Sequence, residues 1–311
     1  MTERTYWIAL AMCQGIGNRT FQNLMAKFGS PQAVFNASIE ELVKVPRITL
    51  NLAQQILSLP IEKIEEEIYS LESEEIEITT QVDETYPTNL RKAFDAPPIL
   101  FVRGEINSQD EHAVAIVGAR EASSQGQDIA RDLAAGFAEK GWTVVSGLAR
   151  GIDTTAHQGA LESGGRSIGV LGSGLRIIHP KENIPTVKKM IQQGAVVSEL
   201  HPNTPPNGRH LMARDRIVSG LSKALIVVEA GEKSGSVDTA HKAKKQNRPV
   251  FAVDAGSPGT TQLIQSGAYC LAPKALNIDE IIQIIHSFLN NEVDKKTEQI
   301  EIFSNARTYK I

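Results

Sequence analysis

Residues 143–153 read TVVSGLARGID: a short β-branched run, Thr143–Val145, passes through Ser146-Gly147 into a loop at Leu148-Ala149-Arg150-Gly151 and on to a helix start at Ile152-Asp153. A strand that ends in glycine and leads at once into a helix is half of a βαβ unit. The same text recurs on both sides of it. Runs at Ala113–Val117, Ser167–Leu171, Ala195–Val197, Ala224–Val228 and Val250–Val253 alternate with helix-length segments. They are continuously apolar, as strands must be when helices cover both faces of a parallel sheet. The expectation is a doubly wound α/β domain with a mostly parallel sheet. Segment 277–289 closes it as a helix, with Ile278, Ile281, Ile282 and Ile285 on one face and Asn277/Glu280 as its cap.

Working outward, residues 1–75 read as short helices with no strand pattern: apolar stretches Tyr6–Met12 and Phe21–Phe28, then Ser38 three residues before Glu41 in capping-box spacing. Gly15-Ile16-Gly17 sits between two of these helices and reads as the hairpin of a helix-hairpin-helix element, whose backbone amides can hold a phosphate without reading sequence. A second hairpin at Val45-Pro46-Arg47-Ile48 lacks the glycine, so packing or protein contact is favoured over DNA binding here. The expected organisation is a helical domain at 1–75, an α/β domain at 76–290 and a charged, aperiodic tail at 291–311.

The chain of 311 residues is long enough for about two domains. Its 41% hydrophobic and 22% charged residues are those of an ordinary globular protein, not of a fibrous or low-complexity one. No apolar run approaches the ~18 residues of a membrane helix, and a cytoplasmic protein is expected. Cys13 and Cys270 stand alone, without spaced histidines, and are expected to be reduced core thiols. The net charge of −4 conceals an asymmetry. Residues 60–84 hold ten carboxylates and one lysine, a local −9, which leaves the remainder at +5. That remainder permits a phosphate partner without arguing for one.

In an open parallel sheet, ligands bind beyond the carboxyl ends of the strands, so the turns there are the candidate sites. Gly118 and Arg120 follow the first run; Ser146, Gly147, Arg150 and Gly151 follow the second, where Asp153 is placed to cap a helix; Gly172 and Gly174 follow the third. Glycine lets successive N–H groups converge on an anion at a helix start, and arginine adds bidentate contacts. Each turn alone reads equally as a tight βα connection. Three of them, two with an arginine, favour an anion site. Arg214 and Arg216 would diverge on a helix but could share an anion in a loop, and pairing with Asp215 is the structural alternative. Lys233-Ser234-Gly235-Ser236 offers hydroxyls and amides at another helix start, or simply a good cap. Lys242, Lys244, Lys245 and Arg248 read as a solvated helix face. No G-x-G-x-x-G opens a helix and no G-x-x-x-x-G-K-[ST] is present, so no cofactor is implied. No catalytic group stands out among the seven scattered histidines.

Taken together, these strings have a familiar order. Asp83-Glu84-Thr85-Tyr86-Pro87, Pro97-Pro98-Ile99-Leu100-Phe101-Val102-Arg103-Gly104, VGAR, SGLARGID, the GSG turn, Ser198-Glu199, RDRIVSGLS, VVEA, KSGSVDTA and Gly267-Ala268 resemble the DprA/Smf family over residues 5–290. The resemblance implies an extended Rossmann-like domain preceded by a small helix-hairpin-helix or SAM-like domain, usually dimeric. It implies sequence-independent binding of single-stranded DNA and loading of the recombinase RecA during natural transformation, without enzymatic activity. Carried over by position, the phosphate pocket would use Gly118, Arg120, Ser146, Gly147, Arg150, Gly151, Gly172, Gly174, Arg214, Arg216, Ser234 and Gly235. The chain departs from the family at His179-Pro180, where Tyr-Pro is usual, and at Leu211–Arg216, where F-P-x-R-N-R is usual. Losing two rings thins a base-stacking surface. Many relatives add a carboxyl-terminal winged-helix domain, for which residues 291–311 are expected to hold no counterpart.

Two other functions are compatible with the residues. One is a nucleotide sensor or phosphoribohydrolase-like enzyme, although Thr239 stands where the catalytic glutamate of that family is expected and Asp238 precedes it. The other is a scaffold whose helical domain and acidic segment bind proteins.

Overall fold

The computed structural model describes residues 2–291, so all but the first residue of the expected tail lies outside the described residues. Among the described residues nine strands form one sheet: β1 (Glu77–Thr80), β2 (Ile99–Gly104), β3 (Ala113–Val117), β4 (Thr143–Ser146), β5 (Ser167–Val170), β6 (Gly194–Ser198), β7 (Ala224–Val227), β8 (Val250–Val253) and β9 (Tyr269–Leu271). Their order is β1-β2-β6-β5-β4-β3-β7-β8-β9. All ladders from β3 to β9 are parallel, whereas β2 pairs antiparallel with both β1 and β6. The sheet is therefore mostly parallel and doubly wound, with an antiparallel extension at one edge that the apolar runs did not announce.

The helices are α1 (Glu3–Met12), α2 (Asn18–Phe28), α3 (Pro31–Phe35), α4 (Ile39–Leu42), α5 (Leu50–Leu57), α6 (Ile61–Ser73), α7 (Thr88–Arg91), α8 (Ser124–Glu139), α9 (Ile152–Glu162), α10 (Ile184–Gln193), α11 (Gly208–Gly220), α12 (Gly235–Lys245) and α13 (Pro258–Gln265), followed by α14 at 278–291. Side chains alternate across a strand, so each strand serves two cores. Ala113, Ala115 and Val117 of β3 pack with Leu90 of α7, Ile217 and Val218 of α11, Val237 of α12 and Leu263 of α13. Val114 and Ile116 face Ile129, Leu133 and Phe137 of α8, Ile152 of α9, and Ile281 and Ile285 of α14. Each such aliphatic side chain, fully buried, contributes about 1.5–3 kcal/mol, and the two layers lock the strand ends in place.

Helices α1–α5 enclose their own core around Leu10, Phe21, Leu24, Leu42 and Ile56. The chain enters α3 through Ser30, whose hydroxyl accepts from Ala33, and α4 through the reciprocal Ser38/Glu41 capping box. Both hairpins have the same local form. Gly15 (φ 95°) and Arg47 (φ 75°) are left-handed, Ile16 and Ile48 are buried behind them, and Gly17 and Thr49 start α2 and α5. Arg47 adopts the conformation of the missing glycine at a cost of roughly 1–2 kcal/mol. Ile8, Ile64, Ile68 and Leu71 of α1 and α6 pack on Ile78, Ile99 and Phe101, tying these helices to the antiparallel edge. Cys13 is buried, but Cys270 is exposed, which corrects its expected place in the core. It lies on β9, the outermost strand among the described residues.

Candidate nucleic-acid interface

Strand β3 lies between β4 and β7, and the chain winds outward from it in both directions. At such a switch point the connections after adjacent strands part, leaving a crevice at their carboxyl ends. Here it is a cavity of about 880 Å³, walled by residues 118–121 after β3, Gly147 and Ala149 after β4, the first half of α11, and residues 231–239 leading into α12. That volume lies within the roughly 300–1,000 Å³ usual for a small-molecule site.

Of the residues singled out by sequence, Gly118, Arg120, Gly147, Arg214, Ser234 and Gly235 line this cavity. Arg150 borders an adjoining annex of about 130 Å³ that shares Arg120, Gly147, Leu211 and Arg214 with the main cavity. The other five lie elsewhere. The Ser146 hydroxyl donates to the Ile116 carbonyl at 2.6 Å inside the sheet. Gly151 has φ 72° and brings the start of α9 so close to the loop after β3 that a Cβ would meet the Ala119 oxygen at 2.3 Å. Gly172 lies under α11, where a Cβ would come within 2.9 Å of the Leu211 Cα, and Gly174 is covered by the carbonyls of His201 and Pro202. Arg216 diverges from Arg214 along α11 and pairs with Glu199.

The converging amides are present, but an internal anion occupies them. Asp153 does not cap its own helix; its carboxylate accepts from the N–H groups of Gly147 at 3.1 Å and of Gly118 and Ala149 at 3.4 Å. Burial pushes its pKa up to about 6, opposed by the nearby Arg214 guanidinium. Arg214 is itself 5% exposed and engaged through two of its three nitrogens: Nη1 donates to the carbonyls of Gly147 and Val170, and Nε to Asp215 at 3.0 Å. Burial also raises the pKa of Asp215. Arg214, Asp153 and Asp215 thus form a buried, hydrogen-bonded charge cluster that sets the cavity floor, and a ligand meets the groups above it. Arg120 and Lys233 are exposed at the rim, and their side chains have no ion pair or hydrogen bond among the described residues. The first turn of α12, capped by Ser234, adds its amides and the positive end of the helix dipole. Glu121, Glu232 and Asp238 also border the cavity, so its charge is mixed rather than uniformly basic. Asp238 is ion-paired with Lys242 at 2.5 Å.

Several features went unread in the sequence. Met212 is 57% exposed on the cavity lip beside the partly buried Leu211. The expected solvated helix face is corrected in part: Lys242 and Lys244 are engaged with Asp238 and the Ser266 carbonyl, and Arg248 lies beyond α12, buried against the Asn89 carbonyl. Residues 165–169, GRSIG, have the G-x-S-x-G spacing of a nucleophile elbow, yet Ser167 lies within β5, fully buried and bonded to the Val144 carbonyl and His157. Among the described residues there is no group of three or more His, Cys, Asp or Glu placed to hold a metal, and no helix long and apolar enough to cross a membrane.

The fold and the site define a doubly wound α/β protein with an anion-compatible crevice at its switch point, preceded by a tandem of helical hairpins. The family model described as DNA recombination-mediator protein A matches residues 77–286, and that of the SAM-like helix-hairpin-helix tandem matches residues 8–58. The chain belongs to the DNA recombination-mediator protein A family, the DprA/Smf proteins. It is 41% identical to Protein Smf of Escherichia coli over 227 residues, covering 71% of this chain and 61% of that protein. It is 39% identical to DNA processing protein DprA of Bacillus subtilis over 189 residues, 59% of this chain and 64% of that protein. The matches thus span less than two thirds of either relative. Among solved structures, DprA from Streptococcus pneumoniae superposes with a TM-score of 0.75 at 29% identity, over 87% of this chain and 95% of that one. DprA from Helicobacter pylori, whose structure is described as giving insights into its single-stranded DNA binding mode, matches with a TM-score of 0.59 at 29% identity, over 69% and 96%.

Proposed function

We propose that this chain binds single-stranded DNA in the crevice at the β3/β7 switch point, without reading sequence, and passes it to the recombinase RecA in the cytoplasm. It does so as a homodimer and without catalysis. The observation that carries the reading is the pair of unengaged cations, Arg120 and Lys233, on the rim of an 880 Å³ cavity whose lip also presents the apolar side chain of Met212. Cations that meet phosphates, and apolar surface that meets base faces, carry no base code, so one groove serves every sequence. Membership in a DNA-processing family, and a structural relative described by its single-stranded DNA binding mode, support the same ligand. The twelve residues carried over by position divide accordingly. Gly118, Gly147, Gly151, Gly172 and Gly174 shape the crevice, Ser146, Arg214 and Arg216 brace it, and Arg120, Arg150, Ser234 and Gly235 meet the strand.

The test is fluorescence anisotropy with mixed-sequence single strands, duplexes and mononucleotides at two salt concentrations. Single strands should bind best, with a log–log salt slope of about −0.7 per phosphate neutralised. The double variant R120A/K233A should weaken binding about tenfold or more on every sequence. Equal preference for duplex, or a mononucleotide binding as tightly as an oligonucleotide, would overturn the reading. Free base released from a nucleoside monophosphate would favour the hydrolase instead.

A further inference from the structure

Beside the main cavity, the annex of about 130 Å³ is too small for a complete ligand site, and it opens onto the same Arg120, Gly147 and Leu211. It is an extension, and its chemistry differs from that of the room it extends. The main cavity is bordered by Glu121, Glu232 and Asp238, whereas the annex adds Arg150, His179 and Pro180 to Arg120 and contributes no carboxylate to its own walls. The small end of the crevice is therefore lined by basic groups without carboxylates, and the roomier end, of mixed charge, has the space for a sugar and base. One carboxylate reaches in from outside. Glu182, from the turn before α10, accepts from Arg150 Nε, and both side chains are more than half exposed.

We propose that the annex holds the phosphodiester that joins the nucleotide in the main cavity to its neighbour, between the guanidinium groups of Arg120 and Arg150 and the ring N–H of His179, and that Glu182 occupies Arg150 until that phosphate displaces it. This inference rests on the single-stranded DNA reading and deepens it: the site grips a dinucleotide step, and a resident carboxylate competes for half of the phosphate clamp. An exposed ion pair is weak, and a phosphodiester carries the same single charge as the carboxylate but meets Arg120 and His179 as well as Arg150, so it wins Arg150 at modest cost. The anion-for-anion exchange leaves Arg150 paired in both states.

The experiment displaces a labelled single-stranded 20-mer from the full chain with thymidine, thymidine monophosphate, and the dinucleoside monophosphate that has one internal phosphodiester and no terminal phosphate. R150A and H179A should each weaken the dinucleoside monophosphate about five- to tenfold and leave thymidine unchanged. E182Q should tighten it about two- to fivefold, because the competitor for Arg150 is gone. All three positions are exposed, so the variants fold. If the wild type binds the 20-mer but R150A and E182Q bind every competitor as the wild type does, the annex assignment is wrong and the parent reading stands. If thymidine monophosphate responds to the variants while the dinucleoside monophosphate does not, the annex takes a terminal phosphate and the assignment to an internal linkage is overturned. A wild type that ignores the 20-mer overturns both.

Discussion

His157 should make this protein lose stability on mild acidification, and the loss should vanish in H157Q. The ring is fully buried on α9; its Nδ1 is 2.8 Å from the Ser167 hydroxyl, which donates to the Val144 carbonyl, so Nδ1 carries the proton and Nε2 is left without a partner. Burial, reinforced by Arg214, lowers its pKa from 6.5 to about 3. As pH falls below 6.5 the unfolded chain takes up a proton that the folded chain refuses, so stability that is complete above 6.5 drains away. By pH 5 the loss is about 2 kcal/mol, at about 1.4 kcal/mol per pH unit. Asp153 works in the opposite direction. Its folded pKa is raised to about 6, so below that pH the folded chain holds the proton more tightly, returning about 1 kcal/mol by pH 5. Urea unfolding at pH 8 and pH 5 reads the sum. Replacing His157 by Gln lowers stability at both pH values, but the difference between them is what counts. Relative to the wild type, the variant should show about 2 kcal/mol less acid destabilisation. Equal pH dependence in the two proteins would refute the claim that His157 is held neutral in the core.

Two further outcomes follow from the cavity floor and its lip. R214M should lower stability by about 3–5 kcal/mol, measured as a shifted urea midpoint, because Asp153 and Asp215 lose their buried counter-charge; a wild-type midpoint would mean that Arg214 is free to serve the ligand. M212W should tighten single-stranded DNA binding about tenfold by anisotropy, since a ring on that lip adds stacking worth about 1–3 kcal/mol per base. Unchanged affinity would show that bases do not pass over Met212.

The parallel half of the sheet was legible because its strands are covered on both faces and so are written as continuous apolar runs. The antiparallel edge was not. Glu77-Ile78-Thr79-Thr80 is short and half polar, and Ile99–Gly104 follows two prolines that read as a break. Tyr269-Cys270-Leu271 is an outer strand of three residues with too little text to show a period. Within the site, six of the residues singled out by sequence border the cavity, but sequence could not say which anion the amides meet. Asp153 lies four to six residues from two of its amide donors and thirty-five from the third, and only the adjacency of β3 and β4 brings all three onto one carboxylate. Arg214 shows the same limit. Its two carbonyl acceptors, on Gly147 and Val170, lie far away in the chain, so a side chain that reads as a ligand contact is a brace between two strand ends and a helix. Arg120, by contrast, is exposed and has no carboxylate partner among the described residues, although Glu121 follows it in the loop.

The most direct test is photo-cross-linking of single-stranded oligonucleotides carrying 5-iodouracil at successive positions, with the attached peptides mapped by mass spectrometry. The prediction is attachment within residues 118–121, 208–215 and 231–241, at every substituted position and in every sequence context, strongly reduced by R120A/K233A at the same protein concentration. Attachment confined to the α1–α6 region, or spread over the surface and indifferent to those substitutions, would contradict the placement of the strand in this crevice.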